Sequence, residues 1–329
     1  MPTTRQPRSG SLQFWPRKRA RRATARIRTF PKHTKPTLGG YAGYKVGMTH
    51  IIVVENRKNS PNKGNEVMVP VTIIECPSLK ILSARFYKKT VYGLKLITEI
   101  FKERQDKELS RRLCLPKKKE KKSLDKLDIS YDEVRALVYT QPKTTSLGKK
   151  KPEIFEVNIG GSKEEQYNYV KENFDKEINI RDVFNEADMV DVHAVTKGKG
   201  YQGPVRRFGI SLRQAKSEKA IRNPGSLGPW CGQGHVMWRV AHAGKMGYHQ
   251  RTHYNKQIYK ISDQIEEITP AGGFLNYGNL KNTYVLIRGS VPGHRKRLVL
   301  MTFAGRSNKK APTKIPAIEY IGIKSKQGR

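Results

Sequence analysis

The chain has 329 residues, and its 65 Lys and Arg stand against 28 Asp and Glu, a formal net charge of +37 at neutral pH. Self-repulsion on that scale opposes a compact state unless a polyanion neutralises it, so nucleic acid is the first partner to consider, ahead of an ordinary small-molecule substrate or a membrane surface. Apolar runs such as IIVV at 51–54 are far short of a bilayer span, and the three scattered cysteines, Cys76, Cys114 and Cys231, form no CxxC pair, which suits a reducing, intracellular setting.

Residues 1–54 hold twelve Lys and Arg and no acid; the first acid is Glu55. The opening 35 residues share the Arg-, Ser- and Thr-rich composition of an organelle transit peptide. The cluster WPRKRARR and four prolines, Pro2, Pro7, Pro16 and Pro31, favour instead a long basic N-terminal arm over 1–45. Its candidate RNA-facing cations are Arg17, Lys18, Arg19, Arg21 and Arg22, with Lys45 where the arm meets the first strand.

Over 46–95, HIIVVEN and MVPVTIIECP are Val- and Ile-rich runs bounded by Gly, Pro or Asn, and predict strands of a sheet or barrel. The character then changes. Residues 99–191 hold 20 basic and 20 acidic side chains, the balance of an ordinary soluble domain. Within it ITEIFKERQDKELSRRLCL alternates charged and apolar residues at roughly helical spacing, and ALVYTQP at 136–142 reads as a strand. GSKEEQYNYVKENF opens with a capping box, Ser162 to Glu165, and KKKEKKSLDKL at 117–127 reads as a solvated charge run. Residues 96–184 are therefore expected to be an inserted α+β domain. The β framework resumes with MVDVHAVT in 185–196 and ends, over 258–329, with NTYVLIRGSVPG, RLVLMTFAG, AIEYIGI and a C-terminal tail. The fold class expected is mainly β with an α+β insertion.

Residues 197–257 fit neither part. They hold twelve basic residues and one acid, Glu218, with four histidines, two tryptophans and many glycines. Sixty such residues make sense as a long basic central loop for which another molecule supplies the packing. By the same reasoning 1–40 and 197–257 are expected to become ordered on RNA.

The loop opens with TKGKGYQGPVRR, in which Gly198, Gly200 and Gly203 have the spacing of a dinucleotide-binding fingerprint. That fold needs a helix after the third glycine and an acid at the end of a second apolar strand. Pro204 can begin a helix, but Gly209 interrupts it within two turns, and Glu218 lies in AKSEKAIR. The glycines are read instead as points where backbone N–H groups approach phosphates, with Lys197, Lys199, Arg206 and Arg207 around them.

Further along, Arg222, Arg239, Lys245, His249, Arg251 and His253 are candidate RNA contacts, and Arg295, Lys296 and Arg297 add a third group. Trp230, in a Gly/Pro turn, is a candidate RNA contact by base stacking, with a small local cluster as the alternative that composition leaves open, whereas Trp238 is assigned to a local core. His249 and His253 are four apart, but GYHQRTHYNKQ is a poor helix and no third ligand is near. No metal, no cofactor and no catalytic constellation is expected. An RNA-modifying enzyme is disfavoured because the acids avoid the basic face. A DNA-binding architectural protein is the alternative, disfavoured because the Gly-, Trp- and His-rich loop suits folded RNA better than uniform duplex.

Three stretches then resemble the archaeal form of a family, the universal large-subunit ribosomal protein three, or L-three. They are YAGYKVGMTH at 41–50; Phe184, Asp191, Ala194, Thr196, Gly198, Lys199, Gly200, Gly203 and Arg207 at the family's intervals; and GSLGPW followed by HVMWRVAHAGKMGYHQRTHYNKQI. The resemblance spans nearly the whole chain and is weakest around 100–180. It implies a translation-protein-type β-barrel, an inserted α/β domain, cytoplasmic location in the ribosome and binding to large-subunit rRNA near its 3′ end. It also implies an early role in assembly, a loop reaching toward the peptidyl transferase region, and ribosomal proteins fourteen and twenty-four-e as neighbours. One stretch departs from the family: SLRQAKSEKAIRNP is poorer in Arg than in relatives and lacks the histidine that is methylated in eukaryotes, which puts any modification there in doubt.

Overall fold

The computed structural model describes residues 7–103, 105–115, 130–216, 220–228, 234–308, 311–312 and 314–323. Its strands, in chain order, are β1 (Gly40–Val54), β2 (Glu66–Glu75), β3 (Leu79–Thr90), β4 (Gly93–Phe101), β5 (Glu133–Thr140), β6 (Ile154–Asn158), β7 (Glu177–Ile178), β8 (Met189–Val195), β9 (Tyr201–Gln202), β10 (Gly244–Lys245), β11 (Gln250–Ser262), β12 (Tyr284–Arg288), β13 (Leu298–Phe303) and β14 (Ile318–Ile321). Two α-helices join them, α1 (Lys163–Asn173) and α2 (Pro204–Phe208). The chain is mainly β, and it divides into two units: Ala23–Ala194 with Arg251–Arg329, and Met1–Arg22 with Val195–Gln250.

In the larger unit, β13, β8, β11, β12, β2 and β1 are hydrogen-bonded in that order, and β13 also pairs β1, so the ladder closes into a ring of six strands. β1 makes this possible by its length. Its first residues, Gly40–Tyr44, pair β13 while Tyr44–Val54 pair β2, with a bulge at Lys45–Gly47, and Ile51–Val53 take β14 as an added strand. The strand begins ten residues before the Val/Ile run that marks it in the sequence, because its first half is rich in glycine. At Gly43 a Cβ would lie 2.5 Å from the Ile74 side chain and 2.7 Å from the Glu75 carbonyl, so only glycine allows β2 this close.

A second sheet, ordered β4-β3-β5-β6 with β7 on β3, lies in the same unit. Its apolar residues, among them Leu79, Ile81, Phe86, Val134, Ala136 and Val138, belong to one buried core with those of the ring, such as Tyr44, Ile73, Val192 and Leu300. The Tyr44 hydroxyl meets Thr140 Oγ1 at 2.9 Å, and the Tyr41 hydroxyl donates to the carbonyls of Pro77 and Ile178 at 2.9 and 3.0 Å. α1 starts at the capping box read from the sequence: Glu165 N–H donates to Ser162 Oγ and Ser162 N–H to Glu165 Oε2. It lays Gln166 and Val170 inward, and Gln166 Oε1 accepts the β5 N–H of Val134 at 2.9 Å.

Three expectations are corrected here. Residues 79–101 belong to the second sheet and not to the ring, so the change of sheet falls at Cys76–Ser78 and not at residue 96. The helical spacing of ITEIFKERQDKELSRRLCL yields β4 up to Phe101 and, among the described residues, a 3-10 turn at Lys107–Arg111, because pairing with β3 captures residues 97–101. Residues 23–39 are not loose arm: Ala25 and Leu38 are buried in the core, Leu38 bridges Ile159, and Gly39 N–H donates to the Asn158 carbonyl. The charge run at 117–127 lies outside the described residues.

The smaller unit is held differently. α2 begins at Pro204 and stops at Gly209, whose φ of 70° is left-handed, and β9 pairs β10 in a two-stranded ladder. Phe208 is its central buried side chain, with Trp15 stacked at 5.0 Å and the guanidinium groups of Arg17 and Arg207 over the ring at 4.2 and 4.9 Å. Arg17 also donates to the Arg207 carbonyl, and Ala20 N–H donates to the Tyr248 carbonyl at 2.8 Å. A segment poor in apolar residues thus uses aromatic rings and cation–π contacts where a larger unit uses aliphatic packing.

Candidate nucleic-acid interface

The smaller unit carries seventeen Lys and Arg against one acid, Glu218. Of the sequence-read candidates there, Lys18, Arg19, Arg21, Arg22, Lys197, Lys199, Arg206, Arg222, Arg239 and Lys245 are exposed. Arg8, Arg213 and Lys216 are exposed cations in the same unit that sequence reading passed over; their signal was only their place in acid-free chain.

The glycines of the loop stand in open space. A Cβ on Gly200 or Gly203 would meet nothing within 4 Å, and on Gly198 only the Tyr248 side chain at 3.7 Å. Gly200, with φ of 69°, makes the turn into β9, and its carbonyl accepts Met246 N–H at 2.8 Å. Bare backbone therefore reaches the surface between Lys197, Lys199 and Arg206, all exposed.

Other candidates serve the protein itself. Arg207 is half-buried and donates through Nε to the Lys245 carbonyl at 3.2 Å and through Nη1 to the His242 carbonyl at 3.0 Å. Arg17 is half-buried on Phe208. His249 departs furthest from expectation: it is 7% exposed, its Nδ1 lies 2.7 Å from the Lys18 carbonyl, and its N–H donates to Thr196 Oγ1. The ring fastens residue 18 to the loop and presents no face to solvent. Trp238, read as core, is 65% exposed and meets Trp15 edge-on at 6.0 Å. Trp230, with Ser217 and Glu218, lies outside the described residues.

A second basic group lies on the larger unit. Lys45, on β1, donates through Nζ to the carbonyls of Val291 and Gly293 at 2.6 and 3.2 Å, strapping the 291–297 turn to the ring. Burial, and then the charge of Arg295, pushes this ammonium below the ordinary lysine value. His253 is pushed down by burial first, with Lys256 and Lys45 adding to it against the Ser290 carbonyl. Burial likewise lowers Arg251. Arg251, His253, Arg295 and Arg297 are half-buried and Lys296 is exposed. Like charges crowded this closely repel each other, and an anion at the surface would relieve them. GYHQRTHYNKQ, read as a poor helix, is strand from Gln250 onward, since β11 runs from Gln250 to Ser262. Among the described residues no three His, Cys, Asp or Glu gather as metal ligands, and no helix is long and apolar enough to cross a membrane.

Over residues 1–328 the sequence matches the family model of ribosomal protein L3. The chain belongs to the ribosomal protein L3 family. It is 47% identical over 336 residues to large ribosomal subunit protein uL3 of Methanobrevibacter smithii and 48% identical over 330 to that of Archaeoglobus fulgidus, each match covering 98% of both chains. The protein of that name from Methanocaldococcus jannaschii is 46% identical over the same share. Membership makes the chain a structural, non-enzymatic constituent of the large ribosomal subunit, at work in translation in the cytoplasm. Its partners are accordingly ribosomal RNA and other large-subunit proteins.

Proposed function

We propose that the chain binds large-subunit rRNA directly near its 3′ end, nucleates early subunit assembly and extends residues 197–257 toward the peptidyl transferase region. One observation carries the direct binding: a unit with seventeen cations and one acid, whose exposed lysines and arginines flank backbone open at Gly198, Gly200 and Gly203. Phosphates neutralise such a surface and backbone N–H groups reach them without side-chain obstruction. Lys18, Arg19, Arg21, Arg22, Lys197, Lys199, Arg206, Arg222, Arg239, Lys245 and Lys296 are the phosphate contacts in this reading. Arg17, Arg207 and His249 hold the unit's shape instead. Lys45, Arg251, His253, Arg295 and Arg297 form a smaller anion-facing group on the ring.

The six-strand ring is assigned as the translation-protein-type barrel, the second sheet with α1 as the inserted α/β domain, and the basic segments as the N-terminal extension and central loop. Ribosomal proteins fourteen and twenty-four-e are the proposed protein neighbours, a reading supported by the family resemblance alone.

Hydroxyl-radical footprinting of the full chain on intact large-subunit rRNA tests the binding site. Protections are expected to cluster in the 3′ domain and to survive excess duplex DNA. Protections spread evenly along the rRNA, or equal displacement by duplex DNA, would contradict the reading and favour an architectural DNA-binding role.

A further inference from the structure

Within the smaller unit, four stretches of chain line an open cleft of about 440 Å³. They are Arg8–Ser9, 210–213, 223–226 and 237–241. Ile210, Met237 and Val240 line it and are half-buried, while the lining arginines Arg8, Arg213 and Arg239 are exposed. The cleft therefore sets apolar side chains beside exposed guanidinium groups. Its volume falls within the range of roughly 300–1,000 Å³ typical of small-ligand sites.

The walls are tied by hydrogen bonds. Arg8 donates to the Arg239 carbonyl at 2.6 Å and also to that of Gly10. Arg213 N–H donates to the Ile221 carbonyl at 3.0 Å, Met237 N–H to that of Leu227 at 3.2 Å and Val240 N–H to that of Met237 at 3.1 Å. Gly228, with φ of 130°, lies so close to Met237 that a Cβ would be 2.9 Å from its Cγ.

The ligand's chemistry follows from the lining. Arg213 and Arg239 select an anion, and among the described residues no acid lines the cleft. The apolar lining, with the polarisable thioether of Met237, suits a flat, weakly polar surface. A run of stacked duplex phosphates would touch the arginines but leave the apolar lining uncovered. A base with its own phosphate satisfies both. Recognition of RNA commonly works through unstacked bases of this kind.

We infer that this cleft receives a single rRNA nucleotide swung out of its stack, its base against Ile210, Met237 and Val240 and its phosphate at Arg213 and Arg239, with Arg8 bracing the wall. The inference deepens the rRNA-binding reading and rests on it.

The test is ultraviolet crosslinking of the full chain on large-subunit rRNA, followed by mass spectrometry of the peptides and mapping of the crosslinked nucleotide. Nucleotide adducts are expected on peptides containing 210–213 or 237–241, all from one rRNA position. Val240→Trp fills the cleft from within, and Ser211→Trp does so from an exposed loop position that tolerates a large residue. Each should lower those adducts about tenfold, while overall rRNA affinity, carried by the many phosphate contacts elsewhere, falls by no more than about the same factor. Adducts unchanged in both variants, or scattered over many nucleotides, would overturn the pocket while leaving rRNA binding standing. Adducts abolished by millimolar adenosine or uridine monophosphate would make it a free-nucleotide site and overturn the rRNA source. Failure of the wild-type chain to bind rRNA would overturn both readings.

Discussion

Single residues in this chain divide into cations that hold the protein and cations that face outward, and the two kinds are alike in sequence. Arg207 sits in GPVRRFG beside Arg206, yet Arg206 is exposed whereas Arg207 forks onto two carbonyls and covers Phe208. A planar guanidinium does this with several N–H donors in a fixed fork while its face lies on the ring, a geometry that the single nitrogen of an ammonium does not reproduce. Arg207→Lys, which keeps the charge, should raise amide exchange in 201–209 and 242–248 about tenfold, the worth of a charged hydrogen bond. The salt dependence of rRNA binding should not change; a flattened salt dependence with unaltered exchange would make Arg207 a phosphate contact instead. In the larger unit Glu75 is the residue with most at stake. Fully buried, it accepts the Tyr277 hydroxyl at 2.5 Å, the Lys281 and Asn282 N–H groups at 3.0 and 3.1 Å, and Asn282 Nδ2 at 2.8 Å. Glu75→Ala strands these donors and should cost on the order of 3 kcal/mol in urea unfolding. A loss no larger than that of an exposed substitution would show the network to be dispensable.

Among the elements, β8 joins the ring at its most titratable point. His193 contacts Thr252 Oγ1 on β11 at 2.9 Å and Thr302 Oγ1 on β13 at 3.2 Å. Burial pushes its pKa below the ordinary value of 6.5, with Asp191 opposing. The unfolded chain then binds the proton more readily than the folded one. Stability is complete above about pH 6.5 and falls as pH drops through the window between the unfolded and folded values. His253 on β11, lowered in the same direction, adds to this slope. His193→Gln should flatten part of the fall in unfolding free energy between about pH 7 and 5, leaving the share of His253. An unchanged profile would assign the whole slope to other groups.

Elements were legible where the signal was local. The capping box at Ser162–Glu165 and the stop at Gly209 depend on a few adjacent residues and appear as read. Long-range pairing was not legible. Nothing in RFYKKT or LKLITEIF says which sheet will claim it, and the β3–β4 pairing decides against both the helical spacing and the barrel. His249 could not be told from an exposed histidine because its partner, the Lys18 carbonyl, is 231 positions away.

For the whole molecule, the charge of +37 is not spread evenly, and its partition is the feature that ties sequence to function. The balanced segment 99–191 contributes to the larger unit, where pairs such as Arg85–Glu156 and Arg135–Glu133, at 2.9 and 2.7 Å, neutralise one another. The smaller unit, with its single acid, has no such internal compensation. The central claim is that these outward cations bind rRNA by displacing counterions. The most direct measurement is the slope of log Kd against log salt for the full chain on large-subunit rRNA, compared between two sixfold variants. In one, Lys18, Arg19, Arg21, Arg22, Lys197 and Lys199 become Gln; in the other, Lys143, Lys149, Lys150, Lys151, Lys163 and Lys176 become Gln. The first should flatten the slope by on the order of four, and the second by less than about one. Equal flattening by the two would contradict the division of labour between the units.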